Sequence, residues 1–287
     1  MDVRRIAVKR LKWGVQSVSM VDNYLGKVFD NISFGTIHFM AEGWDYRCFL
    51  SENNYVIRAP KNPAAQTHLQ YEMAKLKTLT LPLAVPQYIQ PFGRVGVYPA
   101  IFGEAVKGKV PNDTMVQQLQ EFLEVLHQDV NLPPQARSIK GVQRWVKRFR
   151  HLHDEVVEKV YPLLSIKEQR RSKERFNEFF RDLSLAAWSC TLIHGDLSLE
   201  HILVNKDRVQ GIIDFGDMLA GDPAYDLSGI SLQWERGPLR EYALRVDPGG
   251  RRYFYRWASP LGDVIHELDE GLVESVEQAL EKFRRGN

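Results

Sequence analysis

Leu192-Ile193-His194-Gly195-Asp196-Leu197-Ser198-Leu199-Glu200-His201-Ile202-Leu203-Val204-Asn205, followed after a polar turn by Gln210-Gly211-Ile212-Ile213-Asp214-Phe215-Gly216-Asp217, is the stretch on which the fold of this chain turns. Ile202-Leu203-Val204 and Val209-Gln210-Gly211-Ile212-Ile213 are short runs of β-forming residues. Asn205-Lys206-Asp207-Arg208 between them is polar and turn-forming. The two runs therefore read as a β-hairpin. With its centre between Asp207 and Arg208, antiparallel counting sets His201 opposite Asp214, a separation of about 4.5–5.5 Å between Cβ atoms. Asp196 then lies in the loop that enters the hairpin.

Three polar side chains around one hairpin suggest a chemistry. Phosphoryl transfer needs a carboxylate at the attacking hydroxyl and a divalent cation clamped on the nucleotide phosphates. In the protein-kinase pattern the Asp of His-Arg-Asp, an Asn five residues on and the Asp of Asp-Phe-Gly fill these roles. Here Asp196 takes the first place, His201 the second and Asp214 the third. His-Gly-Asp alone, or Asp-Phe-Gly alone, is a common turn. Both together, flanking one hairpin, point to a catalytic Asp196 and a metal-holding pair, His201 and Asp214.

Composition agrees with an ordinary folded enzyme. The 287 residues suffice for one large domain or two lobes. Apolar residues make up 44% and charged residues 26%, which disfavours disorder. A formal net charge of +2 gives no general attraction to nucleic acid or membrane. Cys48 and Cys190 fit no metal or redox spacing and read as buried thiols. Met1-Asp2-Val3-Arg4-Arg5 is not followed by the apolar run of a signal peptide, and no apolar stretch is long enough to span a bilayer. The expectation is a cytoplasmic monomer.

Outward from the hairpin, the chain divides. Ile37–Met40, Arg47–Leu50 and Tyr55–Arg58 read as strands, Ala64 to Thr78 as a helix, and Val97 to Ile101 as part of a further β pair. Beyond Gly103 the periodicity turns helical, at Met115 to His127, Gly141 to Leu164, Lys167 to Trp188 and Gly262 to Phe283. This predicts an α+β, bilobal, protein-kinase-like fold. A β-rich N-terminal lobe with its linker would cover residues 1–102, and a mainly helical catalytic and acceptor-binding lobe residues 103–287.

Leu192 to Asp226, with Gly221-Asp222-Pro223 and Asp226-Leu227, resembles the aminoglycoside phosphotransferase family of small-molecule kinases. The His-Ile-Leu version, with Ile213-Asp214-Phe215-Gly216-Asp217, is most similar to the aminoglycoside 2''-phosphotransferases, then to the macrolide kinases. Many members carry Asn where this chain has His201. The resemblance implies Mg²⁺ as cofactor, ATP or GTP as phosphate donor and a small-molecule acceptor. It places a phosphate-covering turn at Gly43, a phosphate-side cation at Arg58 and its carboxylate partner at Glu72. Related enzymes often have Lys at the cation position; Lys61 is the rival here. Tyr98, Ala100 and Ile101 take the place of the lobe linker, where backbone groups meet the purine.

For the acceptor, Asp263, Glu267 and Glu270 recur at i, i+4 and i+7, which sets three carboxylates on one helix face. Asp217 and Glu235 could join them in an acidic wall suited to a polycation such as an aminoglycoside. A macrolide or another small metabolite alcohol is the alternative acceptor. Arg137 to Arg150 carries six basic residues and no acidic one, the pattern of a nucleic-acid patch. Its Ile139, Val142, Trp145, Val146 and Phe149 fall at helical spacing, so it reads instead as a helix with one core face, and no nucleic-acid partner is expected. A protein-kinase-like enzyme would need an Ala-Pro-Glu segment, which is missing. An inactive binding module would not need both Asp196 and Asp214.

Overall fold

The computed structural model describes residues 17–29, 31–89, 94–106, 108–185 and 188–285. Met1 to Arg5, read as lacking a signal peptide, lie outside the described residues. The chain opens with α1 (Val18–Val28), β1 (Ile37–Glu42), β2 (Tyr46–Ser51), β3 (Tyr55–Pro60), α2 (Pro63–Leu76) and β4 (Gly96–Pro99). There follow β5 (Glu104–Ala105), α3 (Asp113–Leu126), α4 (Pro134–Arg137), α5 (Ile139–Glu155) and α6 (Ile166–Leu185). The hairpin region holds β6 (Thr191–Ile193), β7 (Ile202–Asn205), β8 (Arg208–Ile212) and β9 (Leu219–Gly221). The chain closes with α7 (Ala224–Ser228), α8 (Gly237–Val246), α9 (Arg251–Asp269) and α10 (Val273–Arg285).

Two compact units result. The first runs to Glu104 and takes in Leu203–Asn205 and Gln210–Gly216. Its centre is the antiparallel sheet β1-β2-β3-β4, in which Cys48 pairs with Arg58 and Arg58 with Gly96. Helix α1, not foreseen from the sequence, buries Val21 and Leu25 against Ile37, Phe49, Ile57 and Val97. Helix α2 starts where Asn62 accepts the Ala65 N–H at 2.8 Å and Pro63 presets the first turn. It buries Leu69, Met73 and Leu76, as the spacing predicts, and also Glu72. Cys190 is buried as expected, but Cys48 is only half-buried, packed against Tyr46, Ala65, Leu69 and Met73.

Strands β7 and β8 are hydrogen-bonded neighbours. The turn between them is Lys206-Asp207, with Lys206 at φ +54°, so its centre lies one residue earlier than expected. The count that set His201 opposite Asp214 therefore does not hold. Asp214 follows the end of β8 and stands off the ladder at φ +66°.

The second unit comprises Ala105–Ile202, Lys206–Val209 and the chain from Asp217 onward. Helix α3 buries Met115, Val116, Leu119, Phe122, Leu123 and Leu126, one continuous apolar stripe. On α5, Trp145 and Phe149 are buried and the basic residues face outward, although Ile139 is exposed rather than in the core. The helix expected over 141–164 is α5 followed by a π turn (Val156–Val160) and a 3₁₀ turn (Tyr161–Leu163), with Pro162 unable to continue the regular ladder. The closing helix is likewise two: α9 begins at Arg251, and the chain breaks at Gly271, φ +72°, before α10. Helix α8 was also unforeseen.

Val156, Val160, Phe176, Trp257, Leu261, Val264, Leu280 and Phe283 form one core of this unit. No helix among the described residues is long and apolar enough to cross a membrane. Phe176 is fully buried, with ring centroids 5.2 Å from Phe254 and 5.7 Å from Trp257. Phe176→Ala should cost about 3–5 kcal/mol, the usual cost of emptying a packed aromatic site. Denaturant unfolding should show the lowered midpoint at an unchanged slope.

Candidate active site

In the helical unit, Leu192 and Ile193 are fully buried and carry β6 to the loop His194-Gly195-Asp196. Strand β9 pairs with β6, Ile193 against Leu219, which folds the chain after Phe215 back over the loop. Gly195 has φ +86°, and a Cβ there would stand 2.1 Å from the Asp217 carbonyl oxygen. No other residue fits. The Asp226 carboxylate, with no exposed surface, accepts the His194 N–H at 2.8 Å and the Gly195 N–H at 3.0 Å. Burial raises the Asp226 pKa, but these donors and the neighbouring His127 outweigh it and hold the carboxyl below its ordinary value.

The loop is thus gripped from inside while the Asp196 side chain stays 58% exposed. His201 Nδ1 lies 2.6 Å from the Asp196 carbonyl oxygen. A carbonyl only accepts, so Nδ1 carries a proton and donates it to this contact. The His201 ring stacks on His194 with centroids 5.9 Å apart. Asp217 is exposed at the turn whose carbonyl covers Gly195.

In the sheet unit, Arg58 is 4% exposed and completely surrounded by partners. Its Nη1 donates to both Glu72 carboxylate oxygens at 2.8 Å and to the Tyr88 hydroxyl at 3.0 Å. Its Nη2 donates to Asp214 Oδ1 at 2.8 Å, and its Cζ lies 4.1 Å above the Tyr46 ring. Tyr88 in turn donates to Glu72 at 2.8 Å. Burial alone would lower the Arg58 pKa; Tyr88, Glu72 and Asp214 hold it well above its ordinary value. Asp214, 46% exposed, presents its carboxylate at the surface of this unit. Tyr88 and Tyr46 carry this geometry and belong to no motif that spacing alone reveals.

The remaining nucleotide-side residues have defined surroundings. Gly43 donates its N–H to the Tyr46 carbonyl at 2.9 Å, and its own carbonyl accepts Lys61 Nζ at 3.0 Å. Lys61 is thereby the clasp of the β1–β2 turn, and Arg58 is the cation paired with Glu72. Tyr98 is buried with its ring 5.1 Å from that of Tyr88. Ala100 donates its N–H to the Asn54 carbonyl at 2.8 Å, which removes that donor from purine recognition; Ile101 is half-buried.

The acidic residues do not form one wall. Glu235 is 11% exposed and receives Arg252 Nε at 3.0 Å, at the start of α9. Asp263 lies eleven residues further along α9, about 16 Å by helical rise. It faces Lys282 of α10 at 3.7 Å, and burial raises its pKa. Glu267 has one oxygen buried without a hydrogen bond, and Glu270 is the exposed C-cap. Periodicity could place these residues on a helix but not foresee that Asp263 would face Lys282 of α10.

Removing one partner of the Arg58 pair leaves a buried charge without compensation, which costs about 3–5 kcal/mol. Glu72→Ala should therefore be destabilised on that scale, and Tyr88→Phe by about 1 kcal/mol, the usual worth of one hydrogen bond. Thermal unfolding of the two variants should preserve that order.

Residues 36–260 match the family described as "Phosphotransferase enzyme family". Among curated proteins no sequence matches. Among solved structures, the GDP complex of aminoglycoside 2'-phosphotransferase-IIIa is similar with a TM-score of 0.80 at 22% identity, over 94% of this chain and 98% of that one. The ternary complex of streptomycin, ATP and an aminoglycoside 2''-phosphotransferase has a TM-score of 0.66 at 18% identity, over 94% and 99%. A macrolide 2'-phosphotransferase from Brachybacterium faecium has a TM-score of 0.69 at 19% identity, over 93% and 97%. These likenesses extend across both units and give the fold, a kinase-like sheet unit and helical unit; the match over 36–260 gives the family, and this chain belongs to the phosphotransferase enzymes.

Proposed function

We propose that this protein moves the γ-phosphate of ATP or GTP to a hydroxyl of a small molecule, with Mg²⁺ as cofactor and an aminoglycoside as acceptor. The observation that carries the reading is Asp196: an exposed carboxylate on a loop fixed from inside by the buried Asp226. A base has to meet its substrate without moving, and this arrangement supplies that. Asp196 takes the proton of the acceptor hydroxyl as the new O–P bond forms. The bond from the γ-phosphorus to the bridging oxygen breaks, and ADP or GDP leaves with the electron pair.

Arg58, oriented by Glu72, Tyr88 and Tyr46, would act from behind, holding Asp214 at 2.8 Å and lending positive charge to the phosphate side without touching it. Mg²⁺ uses one or two carboxylates together with substrate phosphates, and the half-exposed Asp214 is a ligand of that kind. His201, whose Nδ1 donates to the Asp196 carbonyl, would offer its Nε2 to the phosphates or the metal when these are bound. When bound, the metal offsets the charge that develops on the phosphates. Support for the nucleotide and the acceptor comes from similar folds solved with GDP, with GDP and kanamycin, and with streptomycin and ATP.

A neutral acceptor is the second reading, and one observation favours it. Glu235 and Asp263 already face Arg252 and Lys282 of this chain, so fewer carboxylates await a polycation. Incubation with Mg²⁺ and ATP or GTP against aminoglycosides, macrolides and simple polyols separates the two. Aminoglycoside phosphorylation, with KM rising as salt screens the charges, is the expected result. Turnover of macrolides or polyols alone, insensitive to salt, would replace the acceptor class.

Asp196→Asn should lower kcat by about 10²–10⁴ with nucleotide affinity nearly unchanged, the range of general-base catalysis. Retention of more than half the turnover, about 50% on that same scale, would remove Asp196 from the role. Asp214→Ala should abolish magnesium-dependent nucleotide binding in a calorimetric titration, while His201→Asn keeps partial activity.

A further inference from the structure

A buried polar chain stands behind the catalytic loop, and none of the steps above uses its far end. His127 closes α3 and is 7% exposed. Its Nε2 lies 2.9 Å from Asp226 Oδ2, and its Nδ1 lies 2.5 Å from the hydroxyl of Tyr242 on α8. The two rings stack with centroids 6.1 Å apart and planes 24° apart. Tyr242 is itself buried, and burial first, with Asp226 adding to it, raises its pKa, so the hydroxyl keeps its proton.

The donor count explains why a histidine stands there. A buried carboxylate needs several donors, and two backbone amides alone leave Asp226 under-satisfied. A carboxylate can only accept, so His127 Nε2 carries a proton and supplies the third donor. It bonds Oδ2, the same oxygen that receives the His194 N–H, while Oδ1 receives the Gly195 N–H. Tyr242 holds the other ring nitrogen and fixes the plane of the imidazole. Three helices, α3, α7 and α8, thus meet on the two amides that precede Asp196.

We propose that His127 and Tyr242 are positioning residues for phosphoryl transfer: they orient the Asp226 carboxylate, and through it the backbone of His194 and Gly195 that aims Asp196. This rests on the phosphotransferase reading for its kinetic consequence. Its structural consequence, the restraint of two particular amides, does not.

The experiment compares wild type with His127→Leu, His127→Gln and Tyr242→Phe. Two readouts are taken: steady-state kinetics, and amide hydrogen exchange at His194 and Gly195 in the protein without substrate. His127→Leu should lower kcat by roughly 10–100-fold with KM for nucleotide and acceptor nearly unchanged, since misplacement by about 1 Å costs up to 10²-fold. Exchange at both amides should quicken by about tenfold or more, while core amides of α6 stay protected, the signature of local opening. His127→Gln, whose side-chain N–H replaces that of Nε2, should recover most of both. Tyr242→Phe should fall between wild type and the leucine variant. If the leucine variant does not fold, Tyr242→Phe and His127→Gln decide the matter. Wild-type exchange and kcat in Tyr242→Phe, or a glutamine variant as impaired as leucine, would overturn the proposal. Fast exchange in these variants with no phosphorylation of any acceptor by wild type would leave the positioning intact and sink the phosphotransferase reading alone.

Discussion

A guanidinium with 4% of its surface exposed keeps its charge, so the hydration it loses has to be offset by partners, and Arg58 has four of them. Isolated burial of such an ion costs several kcal/mol even after relaxation. Glu72 from α2, Tyr88 from the following connection, Asp214 from beyond β8 and the face of Tyr46 from β2 together remove that cost. The pairing ties four separate stretches of the sheet unit to one atom group. With the Tyr88 hydroxyl it also satisfies the Glu72 carboxylate, which is wholly buried on an otherwise apolar helix face.

The helical unit meets the same constraint with more members. Asp222 and Asp247 are fully buried, and Arg251 and Arg252 lie between them, with Glu235 beyond. Asp247 also caps α9, accepting the Arg251 and Arg252 N–H groups at 2.8 and 3.0 Å. Tyr255 donates to Asp222 at 2.8 Å and receives Trp145 Nε1 at 2.9 Å, which joins the charged cluster to the aromatic core of α5 and α6. Acidic side chains that look available in sequence are thereby internal parts of the unit.

Both units share one arrangement: an exposed carboxylate with the polar groups behind it satisfied. Asp196 and Asp214 are 58% and 46% exposed, whereas Asp226 and Glu72, which support them through the loop backbone and through Arg58, have no exposed surface. Rigid second partners cost the fold buried polar groups. They return fixed geometry at the two exposed carboxylates, which is what the proposed phosphoryl transfer needs.

Local chemistry made much of this legible in the letters. β-rich runs separated by turn residues marked the strands around Ile37 to Arg58, and apolar spacing marked α2 and α3, because burial of one helix face imposes that period. His-Gly-Asp and Asp-Phe-Gly pointed to Asp196 and Asp214, and both carboxylates stand exposed in the structure. What depended on distant packing stayed hidden. The one-residue shift of the hairpin turn came from Lys206 adopting φ +54°, and the break at Gly271 from α10 folding back on α9. Pairing choices were equally beyond reach: Arg252 for Glu235, Lys282 for Asp263, and Tyr88 and Asp214 for Arg58. A sequence determines which residues carry charge and which faces are apolar; only the tertiary structure decides which charges are left to meet a substrate, because a buried ion takes the nearest partner that offsets its lost hydration.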